Sequence, residues 1–92
     1  MLSRMKRREA WRKVLEGEVQ RWSALSAEEL LAQLRDIQVY EVTLDGKQHQ
    51  VEVELLEDTP EHVQVMVAVD DGSLPASLRP ESATFMRAKG ST

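Results

Sequence analysis

The sequence predicts an α+β domain in which a long N-terminal helix and a short second helix pack on a three- to four-stranded antiparallel β-meander. Three observations predict it. Apolar residues recur at helical spacing as far as Leu34. From Asp36 onward the apolar period changes to two. Between two alternating runs stands Asp45-Gly46, a strong hairpin signal, because a two-residue turn of this kind needs positive φ at both positions.

Residues 3–24 read as the first helix, with Ser3 placed to cap it. At about 100° per residue, Trp11, Val14, Leu15, Trp22 and Leu25 fall within one core-facing stripe. Glu18 projects into the middle of that stripe, where a carboxylate is costly unless partnered. Arg21, three residues on, is the candidate partner; a side chain splayed at a kink near Gly17 is the alternative. A catalytic role for Glu18 would need a second convergent acid, which the sequence does not supply. Arg4 and Arg7 share the stripe, so packing is expected from Trp11 onward, with residues 1–10 a basic helix start protruding past the body. Ser26 followed by Glu29 is a capping box, and Leu30, Leu31 and Leu34 give the second helix, residues 27–35, its apolar face.

If Asp45-Gly46 is a two-residue turn, Tyr40 lies opposite Val51 and Val42 opposite His49. Tyr40, Val42, Leu44, Val51, Val53 and Leu55 then share one face, while Glu41, Thr43, Gln48, Gln50, Glu52 and Glu54 form a wet one. Ile37 and Val39 break the alternation and point to a bulge or register change near the start of that strand. After "EDTPE", the run "HVQVMVAV" sends Val63, Val65, Val67 and Val69 one way and Gln64, Met66 and Ala68 the other, as in a central strand covered in part on both faces. "SATFMR" is a short fourth strand with Phe85 pointing inward, and residues 88–92 are a flexible tail.

Ninety-two residues form a single domain, 1–92, with a modest core. Absence of cysteine excludes disulfides, thiolate metal sites and cysteine nucleophiles. No apolar run approaches a signal-peptide core or a membrane span, so a cytoplasmic protein is expected. Charge is uneven. Residues 1–13 hold six basic residues against one acidic, a net +5, and the rest holds six basic against fifteen acidic, a net −9.

Two segments carry candidate chemistry. Arg4, Lys6, Arg7, Arg8, Arg12 and Lys13 form a basic surface beside Trp11, suited to nucleic-acid phosphates or to an acidic protein surface, its own or a partner's. Glu41, Glu52 and Glu54 are a ready acceptor for such an arm. The second segment is "VDDGSLPASLRP". Asp70-Asp71-Gly72 looks like half of a calcium loop, but Gly72, Leu74 and Ala76 stand where ligands are needed. The structural reading is a strand-ending turn, with the aspartates accepting local amides, Gly72 at positive φ, and Arg79 tied back to Asp70 or Asp71. The functional reading is an anion held by Arg79 with Ser73, Ser77, Ser82 and Thr84. His49 and His62 are the only histidines and read as surface residues; no metal and no cofactor are expected.

The stretch "VAVDDGSLPASLRPESATFMR" resembles the C-terminal signature of a family of short uncharacterised bacterial proteins, in which a tryptophan-containing helix precedes strands of the "YEV…DGKQHQVEVELLED" type. The resemblance runs from about Trp11 to Phe85, implies a bacterial domain without an assigned activity, and carries over no catalytic residue. The residues favour a small non-enzymatic interaction or regulatory module with a protein partner or a homodimer. The alternatives are a nucleic-acid-associated protein using the basic helix, and a small-anion protein or enzyme at the loop of Asp70, Asp71, Ser73 and Arg79.

Overall fold

The computed structural model describes residues 7–73 and 80–90. Helix α1 spans Arg7–Ser23 and α2 spans Ala27–Gln33; the strands are β1 Gln38–Leu44, β2 Lys47–Asp58, β3 His62–Asp70 and β4 Glu81–Ala88. The strands form one antiparallel meander in the order β1-β2-β3-β4, and the helices supply a second layer.

Helix α1 runs unbroken through Gly17 and buries Ala10, Trp11, Val14, Leu15 and Trp22, with Val19 partly covered beside them. Packing therefore starts a turn earlier than Trp11, because Arg8 is already half-buried with its guanidinium 4.6 Å from the Trp11 ring centre. Of the protruding start expected over residues 1–10, residues 1–6, with Ser3 as the expected cap, lie outside the described residues. A turn closed by the Leu25 amide on the Trp22 carbonyl (3.1 Å) leads to α2. There the capping box forms in both directions: the Glu29 amide donates to Ser26 Oγ (3.1 Å) and the Ser26 amide donates to Glu29 Oε1 (2.9 Å). The backbone and hydroxyl of Ser26 hold the Glu29 carboxyl below its ordinary range.

Asp45 and Gly46 take φ of 55° and 73°, the left-handed pair of the expected hairpin turn, and the register is the expected one: Tyr40 opposite Val51, Val42 opposite His49. The irregularity expected in β1 lies instead in β2, where the register with β3 shifts between Leu55 and Glu57. Strand β1 keeps unbroken pairing from Gln38 to Leu44, and Ile37 and Val39 are simply exposed. Strand β4 ends at Ala88, but the chain is held one residue further: the Lys89 amide donates to the Glu61 carbonyl (2.8 Å) and its ammonium pairs with Asp58. That tie removes Lys89 from the expected flexible tail.

Every second residue of β3, and of β2 as far as Leu55, faces the helices. Val51, Val53, Val63, Val65, Val67 and Val69 are fully buried and meet Trp11, Leu30 and Leu34 in one core. Tyr40, Val42, Leu44, Phe85 and Ala83 fringe it. Helix α1 packs chiefly on β3 and β4, in the direction of β4: Arg8 and Arg12 reach Glu81 near that strand's start, and the carbonyl of Leu25, just past the helix, accepts from Arg87 Nε (3.0 Å) near its end.

Candidate interaction surface

Residues directly opposite in an antiparallel pair share a face of the sheet. On the face turned away from the helices, the register sets Val39, Glu52, Ala68 and Ser82 in one row. A second row holds Glu41, Gln50 and Asp70, a third Glu54, Met66 and Thr84, and a fourth Glu57, Gln64 and Met86. Among these positions no side chain is buried. Gln64, Met66 and Ala68 are half-buried there. Five carboxylates stand in these rows, and no lysine or arginine. Glu52 and Glu54, two positions apart on one strand, have Cα atoms about 6.8 Å apart. In water, like charges at that spacing repel by roughly 0.6 kcal/mol.

The opposite face contains a polar cluster that ties α1 to β1. Tyr40, 22 residues from Glu18 in sequence, donates its hydroxyl hydrogen to Glu18 Oε1. The same hydroxyl accepts from Trp22 Nε1 (2.7 Å) and from Arg21 Nη2 (2.9 Å), and Arg21 also donates to Glu18 (2.9 Å). The arginine carbon lies 5.5 Å from the Trp22 ring centre and 5.4 Å from that of Tyr40. Burial, followed by the hydrogen bond given to Glu18, pushes the Tyr40 hydroxyl above its ordinary pKa. The bond to Glu18 likewise raises Arg21. Glu18 in the apolar stripe is thus a satisfied acceptor. Its i+3 partner was legible; its tyrosine partner was not, because only the sheet brings them together.

The basic segment divides. Arg8 Nη1 and Arg12 Nε grip the two oxygens of Glu81 at 3.1 and 3.3 Å, so these two residues fasten α1 to β4 and not to the wet face of Glu41, Glu52 and Glu54. Lys13 is exposed on α1, while Arg4, Lys6 and the side chain of Arg7 lie outside the described residues. At the end of β3, Asp70 accepts the Gly72 amide (2.7 Å), Asp71 accepts the Ser73 amide (3.0 Å) and hydroxyl, and Gly72 has φ +78°. These are the strand-ending turn contacts. Arg79 and Ser77, and with them the expected tie to Asp70 or Asp71, lie outside the described residues. Ser82 and Thr84 are on the outer face of β4.

His49 corrects the expectation of a surface histidine. It is 2% exposed on the helix-facing side opposite Val42, and among the described residues its Nδ1 meets no hydrogen-bond partner, nor does Trp11 Nε1. Its place opposite Val42, on the same face as Val51 and Val53, was the available signal, overridden by the usual polarity of histidine. His62 lies at the β2–β3 turn, with Nε2 2.8 Å from Glu57 and Nδ1 3.3 Å from Thr59 Oγ1. Among the described residues no three His, Cys, Asp or Glu side chains converge as metal ligands, and no helix is long and apolar enough to cross a membrane. Comparison with family models, curated proteins and solved structures finds no match to this chain.

Proposed function

We propose that the protein is a small protein-interaction module whose recognition surface is the helix-free acidic face of the sheet, and that this face takes a basic segment of a partner protein. One observation carries the reading: among the described residues the helices cover one face only, and the other presents Glu41, Glu52, Glu54 and Asp70, with Glu57 beside His62, and no lysine or arginine in its rows. A lysine- or arginine-rich segment relieves the repulsion among these carboxylates. Val39, Met66, Ala68 and Met86 offer apolar floor for the aliphatic stems of such side chains. The same charge repels a nucleic acid, and two of the arginines that would bind phosphate are engaged with Glu81.

The test is titration calorimetry with a synthetic peptide of residues 1–13, which carries a net +5, as the basic probe. Binding is expected at about 20 mM salt, weakening about tenfold by roughly 300 mM as the charges are screened. It is expected to be lost in the Glu52→Gln/Glu54→Gln double variant. No binding at low salt, or undiminished binding by that variant, overturns the reading.

A further inference from the structure

The two edges of the sheet differ. Strand β4 lies under α1 and is tied to the helical layer at both ends, through Glu81 to two arginines and through Arg87 to the Leu25 carbonyl. Among the described residues, strand β1 pairs with β2 alone. Its seven residues contain no proline, lysine or arginine and no bulge, the devices that ordinarily blunt an open edge. Its apolar residues are poorly covered on both sides: Val39 is 56% exposed on the outer face, and Val42 and Leu44 are only half-buried on the inner one. The Tyr40 hydroxyl, gripped by Trp22, Arg21 and Glu18, holds this strand in place against α1.

We propose that β1 is a self-association edge, pairing antiparallel with β1 of a second copy to give one continuous eight-stranded sheet. The occupant follows from closure. A two-fold β1–β1 contact consumes the β1 edge of both chains and leaves outside the β4 edges, each of which carries Arg87 within the strand, so assembly stops at two chains; a head-to-tail contact would continue indefinitely. The strand's own sequence permits it. Centring the two-fold on Val39 sets valine against valine and Glu41 against Ile37, so no carboxylate meets its own copy. This inference uses the edge and not the acidic face, so either stands if the other fails.

Light scattering on the full chain after size exclusion tests it. The expected mass is twice the 10.5 kDa of one chain, unchanged between low and high salt and in Glu52→Gln/Glu54→Gln. Val39→Lys, which places a charge at the seam of a solvent-facing position, is expected to give a monomer with an unchanged circular dichroism spectrum. Amide exchange adds a readout in the unmodified protein: the Val39 and Glu41 amides, which point away from β2 and into the seam in this register, should exchange several-fold more slowly at high than at low protein concentration. A monomer at every concentration overturns the proposal. So does a dimer that survives Val39→Lys with β1 amides unprotected, or one that dissolves in salt.

Discussion

Glu52 and Val53 are neighbours on β2, yet one stands in water and the other is fully buried under the helices. The same alternation runs through β3 and divides the sheet into a face that holds the domain together and a face that contributes little to stability. Burial of apolar area is the dominant favourable contribution to folding, whereas exposed charge on a sheet stabilises little. What a face costs to mutate therefore measures whether it serves the fold or is left available for a partner.

The sharpest way to break this contrast is Trp11→Ala. Trp11 is 0% exposed at the centre of the helical layer, and its truncation should cost about 3–5 kcal/mol by denaturant unfolding. That is a large part of the stability of any domain this small. A loss below about 1 kcal/mol would mean the helix does not anchor the sheet. Next comes Val53→Ala, expected to cost about 2 kcal/mol through lost burial and the cavity left behind.

Tyr40→Phe sharpens the comparison at the border between the faces. It removes one hydroxyl and leaves Glu18 and Trp22 each short of a partner, for a loss of about 1–2 kcal/mol. Tyr40 is the only tyrosine, so tyrosinate absorbance reports it alone, and its midpoint should lie above the ordinary value of about 10. The sign follows. Below that value both states keep the proton and the contribution is present in full; above it the unfolded chain ionises first, so stability falls as pH rises through the raised folded pKa. A tyrosine titrating at or below the ordinary value would show the cluster to be open to water. The smallest effect belongs to Glu52→Gln, which should change stability by less than about 0.5 kcal/mol while weakening the basic probe. A cost near that of Val53→Ala would show that the outer face is structural.

Much of the fold was legible because its signals are local. Asp45-Gly46 set the hairpin register, Ser26 and Glu29 capped α2, and the valines of β3 declared one buried face. The candidate surface was legible in part: the wet face of β1 and β2 followed from alternation, but its extension to Asp70 on β3 needed the pairing across the β2 bulge. The bulge itself was misplaced, because exposed Ile37 and Val39 mimic a broken period while Leu56 sits in an apolar run that hides one.

The sequence by itself determined the elements, their order, the hairpin register and the charge imbalance between the basic start and the acidic remainder. Each depends on spacing within one segment. Tertiary structure alone decided that Tyr40 satisfies Glu18, that Arg8 and Arg12 close on Glu81, that His49 is buried, and that β4, not β1, is the edge strand lying under α1. Those outcomes depend on which segments meet, and the meeting is set by the shared burial of one face of the sheet beneath α1.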